Sequence, residues 1–226
     1  MDAASFSADL EESMDVELDR LGSSKLLVAV TNANLEEASV LRAAAESERA
    51  AARTFEGWAD DEDDDAARET FADLADLERD HNERVATALE EVDADAEEGG
   101  DADEGEGNGD PDAEGGAIHA ALRSLEDTEA RLGGLVGRAL VSERAQLQVV
   151  NFFVNEGDER RAELFRELRA DTADSRERAL SALEDACESD DAWDRATAAG
   201  EEVIERAYEE YADALEGMGL DPRPIC

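Results

Sequence analysis

Apolar residues in this 226-residue chain recur every three or four positions over long stretches, the spacing that puts them on one face of an α-helix. Phe6, Leu10, Met14, Leu18 and Leu21 form one such stripe and predict a helix over 5–21, interrupted by Gly22. SSKLLVAVT follows as a short apolar helix. Asn34 is placed to cap a long helix reaching about residue 60, the acidic run DDEDDD makes a turn, and a second long helix covers 64–92. Helical pattern resumes over 117–156 and 158–187, a last helix runs over 190–217, and the chain ends in GLDPRPIC. Proline occurs only at 111, 222 and 224, while alanine, glutamate and arginine dominate, so the expected class is all-α. Between the two long periodic blocks, residues 93–116 carry eleven acids, seven glycines and no base; this reads as a linker or surface loop.

The two blocks repeat. SERA stands at 47–50 and again at 142–145, an offset of 95, and FADLADLERDHNERVATALE (71–90) matches FRELRADTADSRERALSALE (165–184) at an offset of 94. Phe71 pairs with Phe165, Leu74 with Leu168, Arg84 with Arg178 and Leu89 with Leu183. Two matched segments in order, one residue apart in offset, indicate duplication of a helical hairpin. The expected organisation is one domain: helices over 1–33, a first hairpin over 34–92, the acidic crossover over 93–116, a second hairpin over 117–187, and a helix with tail over 188–226.

A few stripe positions are polar. The helix over 64–92 has the seam Phe71, Leu74, Glu78, His81, Val85, Ala88, Val92, with a carboxylate and an imidazole among its apolar members. The preceding helix has Leu41, Ala44, Glu48, Ala51, Phe55, Trp58. The third long helix has Leu132, Val136, Ala139, Glu143, Gln146, Val150, Phe153, which makes Glu143 the intruder there. Glu46 shares a face with Arg42, Arg49 and Arg53 and is expected in solvent. Glu48 and Glu78 each lie fifteen residues from the first turn; at ~1.5 Å per residue that is ~22 Å up the hairpin. Glu143 precedes the second turn, near Gly157, by fourteen residues, and Thr172 follows it by fifteen, so all can meet at one level. Several carboxylates buried together need a counter-charge. A divalent cation supplies one, and carboxylate oxygens with an imidazole nitrogen suit iron or manganese.

Charge narrows the partners. Acidic residues outnumber basic ones by 63 to 21, giving a net charge of −42, and Lys25 is the only lysine. That charge opposes binding to nucleic acid or anionic membranes. Acid spread over every segment resembles the proteins of extreme halophiles. Cys187 and Cys226 are the only cysteines, and without a CxxC neither a zinc ribbon nor a rubredoxin-type iron site can form. No apolar run approaches the ~20 residues of a membrane span, and MDAASFSADLEES carries no signal-peptide pattern, so the expected location is the cytoplasm. Asp101 and Asp103 begin like a calcium loop, but Glu106 stands where that loop needs glycine.

Two antiparallel hairpins, a long crossover and a Glu plus Glu-x-x-His in the first hairpin resemble the ferritin-like superfamily, and within it the rubrerythrin group, over roughly residues 34–187. The resemblance implies a four-helix bundle with extra terminal helices. It implies a centre of one or two iron ions, or manganese, held by Glu48, Glu78, His81 and Glu143. It also implies peroxide or oxygen chemistry fed by an electron-donor protein, and allows a homodimer. The pattern departs from the family on the fourth helix, where a second Glu-x-x-His would stand and Thr172 and Ser175 are found. The rubredoxin-type module is absent as well. The competing expectation is a vestigial site without metal in a helical scaffold or partner-binding module, with Glu78 and His81 as a buried structural pair and Gln146 as a core hydrogen-bonder. His119 is expected at the surface, and Phe55, Trp58, Phe152, Phe153, Tyr208 and Tyr211 in the core, with a redox role for either tyrosine only if the last helix covers the site. No catalytic residue is assigned.

Overall fold

The structure, a computed structural model, describes residues 1–99 and 115–223. Nine helices and no strands are found among them. α1 (Ala3–Ser13), α2 (Asp15–Leu21) and α3 (Lys25–Val30) precede the first long hairpin, α4 (Glu37–Asp61) and α5 (Asp65–Gly99). α6 (Gly116–Arg123) is short; α7 (Thr128–Glu156) and α8 (Glu159–Ala186) form the second hairpin, and α9 (Asp190–Gly217) ends the bundle. None of the helices is long and apolar enough to cross a membrane.

Local chemistry sets the boundaries. Asp2 accepts from Ser5 N–H at the start of α1, Asp64 from Ala67 N–H at the start of α5, and Asp158 from Arg161 N–H at the start of α8. Gly157, at φ +79°, ends α7 in the left-handed conformation that closes a helix, and Asp158 N–H bonds back to Phe153 C=O. Four expectations shift. Met14, with non-helical backbone angles, splits the single helix expected over 5–21. Glu36, not Asn34, precedes α4, and no side chain caps that helix. α5 continues to Gly99, seven residues into the expected crossover; the remainder, 100–114, lies outside the described residues, as does Cys226. The helical stretch expected over 117–156 breaks at Ser124–Asp127.

The bundle has two apolar cores with a polar layer between them. One contains Ala51, Phe55, Phe71, Leu74, Leu132, Leu183 and residues of α1, α2 and α9; the other contains Val40, Leu41, Val85, Val149, Phe153 and Phe165. Glu48, Glu78, His81, Gln146, Thr172 and Ser175, all buried, fall between these sets on their four helices. The order of residues along each helix shows that α4 and α8 run one way and α5 and α7 the other. α5 and α7 are therefore parallel, the arrangement expected of two antiparallel hairpins joined by one long connection. Glu62, in the first turn, ties the hairpins together by accepting from Thr128 Oγ1 (2.7 Å) and Arg131 Nη1 (3.3 Å).

α9 lies against α7 at backbone distance. A Cβ on Gly133 would fall 2.2 Å from Ala196 O, and one on Gly137 would fall 2.6 Å from Gly200 O. α7 thus has the hairpin core on one side and α9 on the other, and every residue from Arg131 to Val141 is buried. On the remaining side α4 and α7 stand further apart, bridged by α3, α6 and α9.

Candidate functional site

The polar layer is built on helix interiors. Glu78 and His81 lie three apart on α5 and point the same way, and Glu48 faces them from α4. One donor atom from each of Glu48, Glu78 and His81 falls within 4.8 Å of the other two, so three of the four residues named from the sequence come together. His81 is fully buried; its Nδ1 lies 4.0 Å from Glu78 Oε2 and has no hydrogen-bond partner, while its Nε2 sits 3.2 Å from Asp171 Oδ2.

Glu143 does not join them. Its carboxylate accepts from Arg176 Nε at 2.8 Å, on the side of α7 that meets α8 and α1. With α9 covering a second face, α7 has buried residues on more than one side, and apolar spacing no longer singles out the side that meets Glu48 and Glu78. The charged residue that α7 does contribute is Arg138, the lone charge in LGGLVGRALV (132–141). Its guanidinium donates to Glu78 Oε1 (2.5 Å) and Oε2 (3.1 Å) and to Glu48 Oε2 (3.3 Å), and it lies 5.4 Å from the centre of the Phe55 ring. Gln146 Nε2 donates to Thr172 Oγ1 (3.0 Å) and lies 3.5 Å from Glu48 Oε1. At the positions of the missing second motif, Thr172 and Ser175 donate to carbonyls of their own helix, Leu168 and Asp171.

The two carboxyls titrate in opposite directions. Burial first, then the charge of Glu78 and the hydrogen bond shared with it, hold Glu48 well above the usual carboxylate range; Arg138 and Gln146 oppose this without prevailing. Burial also acts to raise Glu78, but the charge of Arg138 and hydrogen bonds from Glu48 and Arg138 outweigh it, and Glu78 is lowered. Burial works against the charge on Arg138, and the two glutamates more than restore it. The layer thus favours the protonated form at Glu48 and the ionised form at Glu78, beside the Arg138 guanidinium.

His119, expected at the surface, is 1% exposed, with both ring nitrogens unpartnered. Burial and then Arg138 push its pKa down to about 3, so the ring is uncharged at neutral pH. The expectation failed because α6 is too short to show a stripe, and the covering helices come from distant parts of the chain. Tyr211 is buried and hydrogen-bonds Pro222 C=O (3.1 Å), Tyr208 is half-buried beside Arg20, and Cys187 is free.

A pair of metal ions does not fit this donor set: Glu143 is turned away, the fourth helix offers only hydroxyls bound to backbone, and a fixed cation already bridges both carboxylates. One metal ion fits better. His81 Nδ1 is a buried donor with nothing to bind, and Asp171 holds the other ring nitrogen, as the outer carboxylate of a metal-bound histidine does. Comparisons with family models, with characterised proteins and with solved structures give no match to this chain.

Proposed function

We propose that the protein is a ferritin-like helical metal-binding protein that holds a single iron or manganese ion at Glu48, Glu78 and His81, with Arg138 as a permanent cation where a second ion would otherwise be needed. The observation that carries this reading is the buried, unpartnered Nδ1 of His81, aimed toward Glu78 and braced from behind by Asp171. The single long crossover between antiparallel hairpins supports the ferritin-like assignment. Iron bound there would supply redox chemistry toward peroxide or dioxygen, the activity the rubrerythrin resemblance implies, with electrons from a separate donor protein. Glu48 and Glu78 would each give a carboxylate oxygen and His81 a nitrogen. Arg138 would keep hold of one carboxylate and lower the affinity by charge repulsion.

The bridge from Arg138 to both carboxylates favours a second reading, in which the guanidinium has replaced metal altogether and the protein is a non-catalytic helical scaffold. One experiment separates them. Protein purified in molar salt is loaded anaerobically with Fe2+ or Mn2+, freed of excess ion and assayed for bound metal. Wild type is expected to retain one equivalent and a Glu78→Ala, His81→Ala variant none. Wild type holding no more metal than that variant overturns the metal reading; if Arg138→Met then binds metal, the arginine-neutralised scaffold stands.

A further inference from the structure

Where α4 and α7 stand apart, a cavity of about 490 Å3 opens between them, bounded also by α3, α6 and α9. Its walls are mainly apolar, among them Leu26, Leu27, Val40, Val141, Val149 and Phe165. The size is ordinary for a small-molecule site, which occupies roughly 300–1,000 Å3. What distinguishes this cavity is its polar lining. His119, Gln146 and Arg138 all reach it, all are at least nine-tenths buried, and each brings buried polar atoms with no partner: both ring nitrogens of His119, Oε1 of Gln146 and Nε of Arg138. Buried polar groups in folded proteins are almost always paired, so four unpartnered atoms on three residues bordering one cavity mark a place that something else completes.

Chemistry narrows the occupant. Arg138 Nε and one nitrogen of the neutral His119 ring donate, while Gln146 Oε1 and the other ring nitrogen accept. A group that both accepts and donates, or a carbonyl beside a hydroxyl, satisfies such a set. Arg138 is already neutralised by Glu78, and Glu46, Glu48 and Glu210 also line the cavity, so an anion finds no free counter-charge. A cation placed among the unpartnered atoms would face the guanidinium. We propose that this cavity binds an uncharged, largely apolar small molecule whose one hydroxyl or carbonyl end reaches His119, Gln146 and Arg138.

The inference does not depend on metal binding, since neither His119 nor Gln146 is a proposed metal donor. The test is calorimetric titration of the full chain in molar KCl with 1-naphthol, naphthalene, 1-naphthoate and 1-naphthylmethylammonium. 1-Naphthol is expected to bind wild type at least about tenfold more tightly than each of the other three, the scale of a few well-made hydrogen bonds. Ala145→Phe, which fills the cavity, is expected to abolish binding. His119→Phe, which keeps a ring but removes both nitrogens, is expected to bring 1-naphthol down to the level of naphthalene, and it serves alone should Ala145→Phe not fold. His81→Ala, which destroys the proposed metal site, is expected to bind 1-naphthol as wild type does. The proposal is overturned if 1-naphthol fails to bind wild type, leaving a water-filled cavity only. It is also overturned if either ion binds more tightly, or if His119→Phe leaves the preference intact.

Discussion

Glu48 and Glu78 carry the same chemical group at the same depth, and their pKa values are pushed in opposite directions. Burial acts to raise both, and the guanidinium of Arg138 contacts both oxygens of Glu78 but only one of Glu48, so the ionised form is favoured on Glu78 and the protonated form on Glu48. The signs of their pH effects therefore differ. A carboxyl raised in the folded state, as Glu48 is, costs stability as pH rises above the unfolded value of 4.5, because ionisation is available only to the unfolded chain. A carboxyl lowered in the folded state, as Glu78 is, contributes stability above 4.5 that is lost as pH falls through its folded value. Metal-free Glu48→Gln should accordingly melt at a higher temperature than wild type at pH 7 and at about the same temperature near pH 4. Glu78→Gln should lose about 3–5 kcal/mol at pH 7, the cost of leaving a buried charge without its partner, and less in acid. Melting curves of the three proteins from pH 4 to 8 check both; a destabilised Glu48→Gln at pH 7 would show the proton assignment to be reversed.

At the scale of the helix, α7 gives the clearest test. Gly133 and Gly137 are needed because the backbone of α9 lies where their side chains would be. Gly133→Ala should cost about 1–3 kcal/mol by overpacking. Gly57→Ala on the exposed face of α4, where a Cβ meets nothing within 4 Å, should instead gain about 0.5–1 kcal/mol from helix propensity. Denaturant unfolding of the two variants measures the contrast. The same close packing explains what could be read in advance. α4 and α5 each show one apolar face to the core, so three-and-four spacing indicated the burial of Glu48, Glu78 and His81. α7 is buried on two faces, its spacing carries no single direction, and a stripe placed Glu143 at the centre when Arg138 belonged there. A charged residue inside ten otherwise uncharged positions was the available signal. Asp171 and His119 gave none, because their roles arise from contacts between segments far apart in the chain.

For the whole molecule, the excess of acid adds a long-range repulsion to these local terms. Arginines pair widely at the surface, as in Arg166 with Glu159 and Glu163 or Arg84 with Glu167. With 63 acids against 21 bases, acidic groups far outnumber the basic ones available to pair them. Self-repulsion between them is long-range at low salt and screened within about 3 Å at 1 M. The melting temperature should thus climb steadily as KCl is raised from millimolar to molar; a fall would mean that the surface ion pairs, which salt weakens, outweigh the repulsion.

The polar layer between the two apolar cores also settles how the hairpins align. Alanine- and leucine-rich helices pack nearly as well after sliding past each other by one turn, about 5.4 Å. Here such a slide would carry Arg138 away from Glu48 and Glu78, separate His81 from Asp171, and strand charged groups in hydrocarbon at several kcal/mol each. The observed register pairs Arg138 with both glutamates and His81 with Asp171. Whatever else Glu48, Glu78, His81 and Arg138 do, together with Asp171 they act as a key that holds the two hairpins in this alignment.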